Sequence, residues 1–97
     1  MPTYVALMKL TEQGLKDIKN FPARFEAAKK GAEAVGGKII GFYAVLGEYD
    51  YVSIAEMPND EVGMSFMMAL GAVGNVRTTT LKAFTEQEFA EIVKKMP

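Results

Sequence analysis

Apolar positions at the start of the chain alternate with other apolar positions, where a half-buried strand would alternate with polar ones. From Thr3 to Leu10 one side carries Tyr4, Ala6, Met8 and Leu10, and the other carries Val5 and Leu7 with Lys9 as the single charge. A two-residue period that is apolar on both sides predicts a strand buried on both faces. Thr11 then stands as an N-cap, and Leu15, Ile18, Phe21, Phe25, Ala28, Ala32 and Val35 recur at three- and four-residue spacing. That stripe predicts a helix. Pro22 lies inside it, so the helix kinks there or restarts with the proline in its first turn. Gly36-Gly37 ends it.

The same double-sided pattern returns in the second strand, read as Lys38 to Leu46, with Ile39, Gly41, Tyr43 and Val45 against Ile40, Phe42, Ala44 and Leu46. Gly47-Glu48-Tyr49-Asp50 reads as a turn, and Tyr51 to Glu56 as the returning strand of a hairpin. Asn59 or Asp60 caps a second long helix whose inner side is Val62, Phe66, Ala69, Leu70 and Val73. Gly71 and Gly74 close it, and Val76 to Phe84 forms a fourth strand. Thr85-Glu86-Gln87-Glu88 is a capping box, flanked by Phe84 and Phe89 in the positions of a hydrophobic staple. A short terminal helix with Phe89, Ile92, Val93 and Met96 on one face follows.

The order β-α-β-β-α-β plus a helix predicts one ferredoxin-like α+β domain over residues 1–97, with an antiparallel four-stranded sheet. Right-handed crossovers put both long helices on one face of that sheet. The opposite face of a monomer meets water and reads polar, but here it reads apolar. Two such sheets packed face to face form a dimeric α/β barrel, so the expectation is a homodimer or a higher even oligomer. The alternative is that the terminal helix folds across the open face within one subunit.

Composition narrows the function classes. The 97 residues are 49% hydrophobic with a net charge of −1, from 11 basic and 12 acidic residues scattered along the chain. That balance argues against nucleic acid and against an anionic membrane surface. The longest uncharged run, Val62 to Val76, is too short and too rich in glycine to span a bilayer. No cysteine and no signal-like start lead to the expectation of a cytoplasmic protein.

Histidine, cysteine and tryptophan are all absent. This removes Ser-His-Asp and Cys-His catalysis, zinc sites built on His or Cys, and His-ligated haem. No cofactor and no metal are expected, since Glu48 and Asp50 alone make a poor cation site. Proton transfer falls to Asp, Glu, Lys or Tyr. Tyr49 and Asp50 form one candidate pair, either a base with a ligand-orienting phenol or a turn in which Asp50 bonds backbone amides. Tyr4, Tyr43, Tyr51, Ser53 and Met8 are candidates to line a cavity. Arg77 is a candidate anion contact, and Arg24 reads as a solvated helix residue.

The residues Gly36-Gly37, Gly47-Glu48-Tyr49-Asp50, Gly74 to Thr80, Pro2-Thr3-Tyr4 and Thr11 to Gly14 together resemble the GYD domain family over essentially the whole chain. The motif glycine, tyrosine and aspartate fall on Gly47, Tyr49 and Asp50. The resemblance implies a fold similar to the dimeric α/β barrel proteins and brings no accepted catalytic residues. Two function classes follow. The first is a non-catalytic oligomeric domain that binds a small apolar molecule or a protein partner. The second is a cofactor-independent enzyme of the isomerase or monooxygenase kind, acting on a small hydrophobic or phenolic substrate. An oligomer like the trimeric nitrogen-signalling proteins would need a long sensing loop, and every connection here reads as short.

Overall fold

The computed structural model describes all residues from Met1 to Pro97. Strands β1 (Thr3–Leu10), β2 (Lys38–Ala44), β3 (Tyr51–Glu56) and β4 (Val76–Ala83) form one sheet in the order β2-β3-β1-β4. Every neighbouring pair is antiparallel. Helices α1 (Glu12–Lys16), α2 (Phe21–Ala34), α3 (Asp60–Val73) and α4 (Glu86–Lys94) complete the ferredoxin-like α+β fold.

The first helical stripe takes the restarted form. A 3-10 turn, Ile18–Asn20, separates α1 from α2, and Pro22 stands in the first turn of α2, where its missing N–H costs nothing. Both ends of the stripe are left exposed, at Leu15, Ile18 and Val35. Strand β2 is shorter than its pattern implies. It ends at Ala44, and Leu46 stands fully in solvent.

Family-motif residues at the start of α1 clasp the end of α3. The Thr11 amide donates to the Asn75 carbonyl at 3.0 Å, and the Thr11 hydroxyl donates to the Gly74 carbonyl at 2.6 Å. Gln13 Nε2 reaches the Val73 carbonyl at 3.0 Å and Asn75 Oδ1 at 2.9 Å. A Cβ at Gly14 would lie 2.2 Å from the Asn75 carbonyl oxygen, so only glycine lets the two segments meet.

The cross-strand register sorts the side chains onto two faces. Toward α2 and α3 point Tyr4, Ala6, Met8 and Leu10 of β1, with Tyr51, Ser53 and Ala55 of β3 opposite. The other face carries Val5, Leu7, Val52, Ile54, Tyr43 and Leu81, with Lys9 and Arg77 facing each other across β1 and β4. Nothing in the chain covers that second face. Helix α4 is properly built, with Thr85 and Glu88 exchanging the two capping-box bonds. Yet every residue from Phe84 to Pro97 is exposed, so the terminal helix does not pack across the sheet.

The chain is extended for its mass. It presents 6,791 Å² of accessible surface with a radius of gyration of 14.6 Å. A compact monomer of this mass presents roughly 5,500 Å² with a radius of gyration near ~12.5 Å. Only 9 of the 97 residues are buried, which leaves the core small for a domain that folds alone.

Candidate functional site

The interior centres on an aromatic cluster between the sheet and α2. Phe21 and Phe25 stack 5.6 Å apart, and Phe42 lies 4.6 Å from Phe25 and 5.4 Å from Phe21. The Tyr51 ring joins them, 5.0 Å from Phe42 and 5.6 Å from Phe21. Helices α2 and α3 do not close over this layer. A half-open cavity of about 350 Å³ remains between them and the sheet, walled mainly by apolar side chains from α2, α3 and all four strands.

Few polar groups reach this space. Asp17 and Arg24 pair at its edge. Arg24 is therefore not the solvated helix residue its sequence position implies, because the salt bridge to Asp17 draws its side chain down to 29% exposure. The Ser53 hydroxyl donates to the Gly41 carbonyl at 3.4 Å. Tyr51 is 9% exposed, and its hydroxyl makes no hydrogen bond within the chain. Burial pushes the Tyr51 phenol upward, the nearby Asp50 charge pushes the same way, and Arg24 opposes them.

Tyr4 marks the end of the cavity under the start of α3. Its hydroxyl donates to Asp60 Oδ1, and Lys82 Nζ donates to Asp60 Oδ2 at 2.9 Å. The ring packs closely against Gly63, where a Cβ would lie 3.0 Å from Cζ of Tyr4 and force the ring to shift. Burial first, and then the bond to Asp60 and its charge, pushes the Tyr4 phenol up to about 12. The bonds from Tyr4 and Lys82 hold the Asp60 carboxyl below its usual range. Asp60 is not the helix cap. That role belongs to Asn59, whose side chain accepts from the Val62 amide at 2.9 Å.

The residues singled out from the sequence divide, with Tyr4, Met8, Tyr51 and Ser53 on the cavity wall and Tyr43, Tyr49, Asp50 and Arg77 away from it. Tyr4 lines the cavity. Tyr43 stands on the open sheet face, 62% exposed, opposite Val52. Tyr49 lies against Lys9, whose ammonium sits 5.4 Å from its ring. Arg77 is exposed beside Lys9 on β4.

Asp50 performs a backbone task. Strand β3 begins only at Tyr51, so the Leu10 amide lies beyond the last residue of the β1–β3 ladder. Asp50 Oδ2 accepts that amide at 2.8 Å, while the Asp50 amide donates to the Met8 carbonyl at 2.8 Å. The carboxylate therefore extends the ladder by one bond.

Sequence reasoning missed the Tyr4–Asp60–Lys82 cluster and the Asp17–Arg24 pair. The partners in the first are 56 and 22 residues apart, a separation that only the fold brings together. The aromatic cluster was partly visible, since Phe21 and Phe25 belong to the helical stripe.

No helix is long and apolar enough to cross a membrane. The fold is similar to that of a feast or famine regulatory protein from M. tuberculosis, solved in complex with L-methionine. That match has a TM-score of 0.65 and 18% identity, over 88% of this chain and 51% of the regulator, so the chain spans about half the regulator's length. A crystal structure of a protein from Thermus thermophilus matches over 88% of this chain and 95% of its own, with a TM-score of 0.52 and 22% identity. In sequence, a glutamine synthetase and cystathionine beta-lyase binding protein from Thermus thermophilus is 33% identical over 84 residues, covering 86% of this chain and 88% of that protein. Residues 4–93 match the GYD domain, and the chain belongs to the GYD domain family.

Proposed function

We propose that this chain is a non-catalytic binding module that works as a homodimer or a higher even oligomer. The observation that carries this reading is the uncovered apolar sheet face, together with a terminal helix whose apolar side is exposed. The surface in excess of a compact monomer is roughly 1,300 Å², above the roughly 800 Å² that each partner buries in a typical stable complex. A second copy is the occupant this favours. Its sheet presents the same apolar rows, and a two-fold axis lets one patch serve both sides. The resulting arrangement is a dimeric α/β barrel with α4 as an arm laid on the neighbour.

Packing of the sheet faces leaves the outer side of α3 free for other proteins. Met64 and Met68 are both 65% exposed there, and methionine adapts its shape to varied partners. The name of the Thermus relative supports metabolic enzymes, glutamine synthetase among them, as the kind of partner. The cavity is the second binding element, suited by its walls to a small apolar molecule. Asp50, the best acid for an isomerase or monooxygenase reading, is committed to the Leu10 amide, which favours the non-catalytic reading.

Leu7 lies at the middle of the open face and tests the assembly. In sedimentation velocity the wild-type chain is expected to run as a dimer or an even multiple, and Leu7→Glu as a folded monomer. An unchanged oligomer in Leu7→Glu would remove the sheet face from the interface.

A further inference from the structure

One polar group in the cavity has no partner of its own. Tyr51 rises from β3 into the aromatic cluster, more than nine-tenths buried. No hydrogen bond in the chain uses its hydroxyl, and the oxygen is not sealed from the cavity. The oxygen keeps access to solvent through the half-open cavity, so a ligand oxygen placed there would exchange for water. The other polar groups along the walls are already engaged. Tyr4 donates to Asp60, Ser53 to the Gly41 carbonyl, and Asn75 accepts from Gln13. Asp17 and Arg24 satisfy each other.

Charge and size define what would satisfy Tyr51. Arg24 is cancelled by Asp17, and Asp50 also acts on the Tyr51 hydroxyl, so there is no surplus positive charge to hold an anion. The volume is about 350 Å³. An apolar cavity of roughly 150 Å³ accepts benzene, so this one has room for two fused rings. The Phe21, Phe25 and Phe42 rings offer edge-to-face and offset contacts to such a body.

We propose that the cavity binds an uncharged, largely aromatic molecule of about two-ring size whose single hydroxyl or carbonyl oxygen hydrogen-bonds to Tyr51. This rests on the binding-module reading and gives its small ligand a chemical class.

The test uses naphthalene, 2-naphthol and 2-naphthoate as probes on the full chain, followed by their own fluorescence, which no tryptophan obscures. Wild type is expected to bind 2-naphthol about 5–10-fold more tightly than naphthalene, the effect of one hydrogen bond. Naphthalene is the more hydrophobic of the two, so burial alone predicts the reverse order. Tyr51→Phe should erase that preference and leave naphthalene within about twofold. Ala28→Phe, which fills the cavity from α2, should abolish binding of both.

Should that variant fail to fold, shifts of the Phe21, Phe25 and Tyr51 ring resonances on adding 2-naphthol to wild type locate the probe. Equal affinity for naphthalene and 2-naphthol, or a preference that survives Tyr51→Phe, overturns the role of Tyr51 while leaving an apolar site. Tighter binding of 2-naphthoate overturns the uncharged ligand. No binding of any probe overturns the small-molecule site itself, and the oligomer is tested separately by Leu7→Glu.

Discussion

Tyr4, Gly63, Asp60 and Lys82 show how single residues are set by neighbours far away in sequence. Gly63 makes room for the Tyr4 ring, and the ring directs its hydroxyl to Asp60 at the first turn of α3. Titration should expose this arrangement. The Tyr4 phenol is raised to about 12, so the folded state favours its protonated form. The stability it contributes is complete below the ordinary tyrosine range near ~10 and is lost as the pH rises toward the folded value. Asp60 works in the opposite sense. Its carboxyl is lowered, so its contribution is present above the usual aspartate range and lost as the pH falls through it. Ultraviolet titration should find one phenol ionising near pH 12. Asp60→Asn should move that phenol part of the way down, because burial is the larger cause and persists. A tyrosine set that ionises wholly at ordinary pH would contradict the placement of Tyr4.

At the level of elements, β1 depends on Asp50 to finish its pairing with β3. A hydrogen bond to a charged acceptor contributes about 1.5–3 kcal/mol, so Asp50→Ala should lower stability by an amount in that range. Asp50→Asn keeps an oxygen that can accept the Leu10 amide and should lose less. Chemical denaturation of the two variants separates the cases, and no loss in Asp50→Ala would refute the clamp. Element order, the strand pairing of the hairpin and the caps at Thr11 and Thr85 are legible in the sequence, while the cap of α3 is narrowed only to Asn59 or Asp60. Each rests on local patterns, namely two-residue or helical periodicity and side-chain oxygens next to free amides. The break between α1 and α2 has two readings in the sequence, because Pro22 fits a kink as well as a restart. The apolar alternation overruns the end of β2 by two residues, since Val45 and Leu46 continue it although they leave the ladder. The candidate site is less legible. Asp50 stands out by its motif, yet its partner Leu10 is 40 residues away; Tyr51 stands out as a cavity candidate, yet its lack of a partner shows only once the neighbouring polar groups prove to be engaged.

As a whole molecule, the chain leaves one sheet face and its terminal helix without a covering layer, which the proposed second copy would supply. Val5, Leu7, Val52 and Ile54 lie half-buried on the face turned away from α2 and α3, and Phe89, Ile92 and Val93 on α4 are exposed. A monomer that kept these surfaces wet would forgo much of the stability that a 97-residue chain gains from burial. The family signature reads differently in this light. Thr11, Gly14, Asp50 and Asn75 build junctions between elements, so these motif residues serve the scaffold, and the proposed binding falls to the faces and the cavity that the scaffold presents. The most direct test is native mass spectrometry of the wild-type protein at low micromolar concentration. The account predicts a dimer or an even multiple of it, with no stable population of single chains. A clean, folded monomer would contradict the account, because the open sheet face and α4 would then be stable in water without a partner.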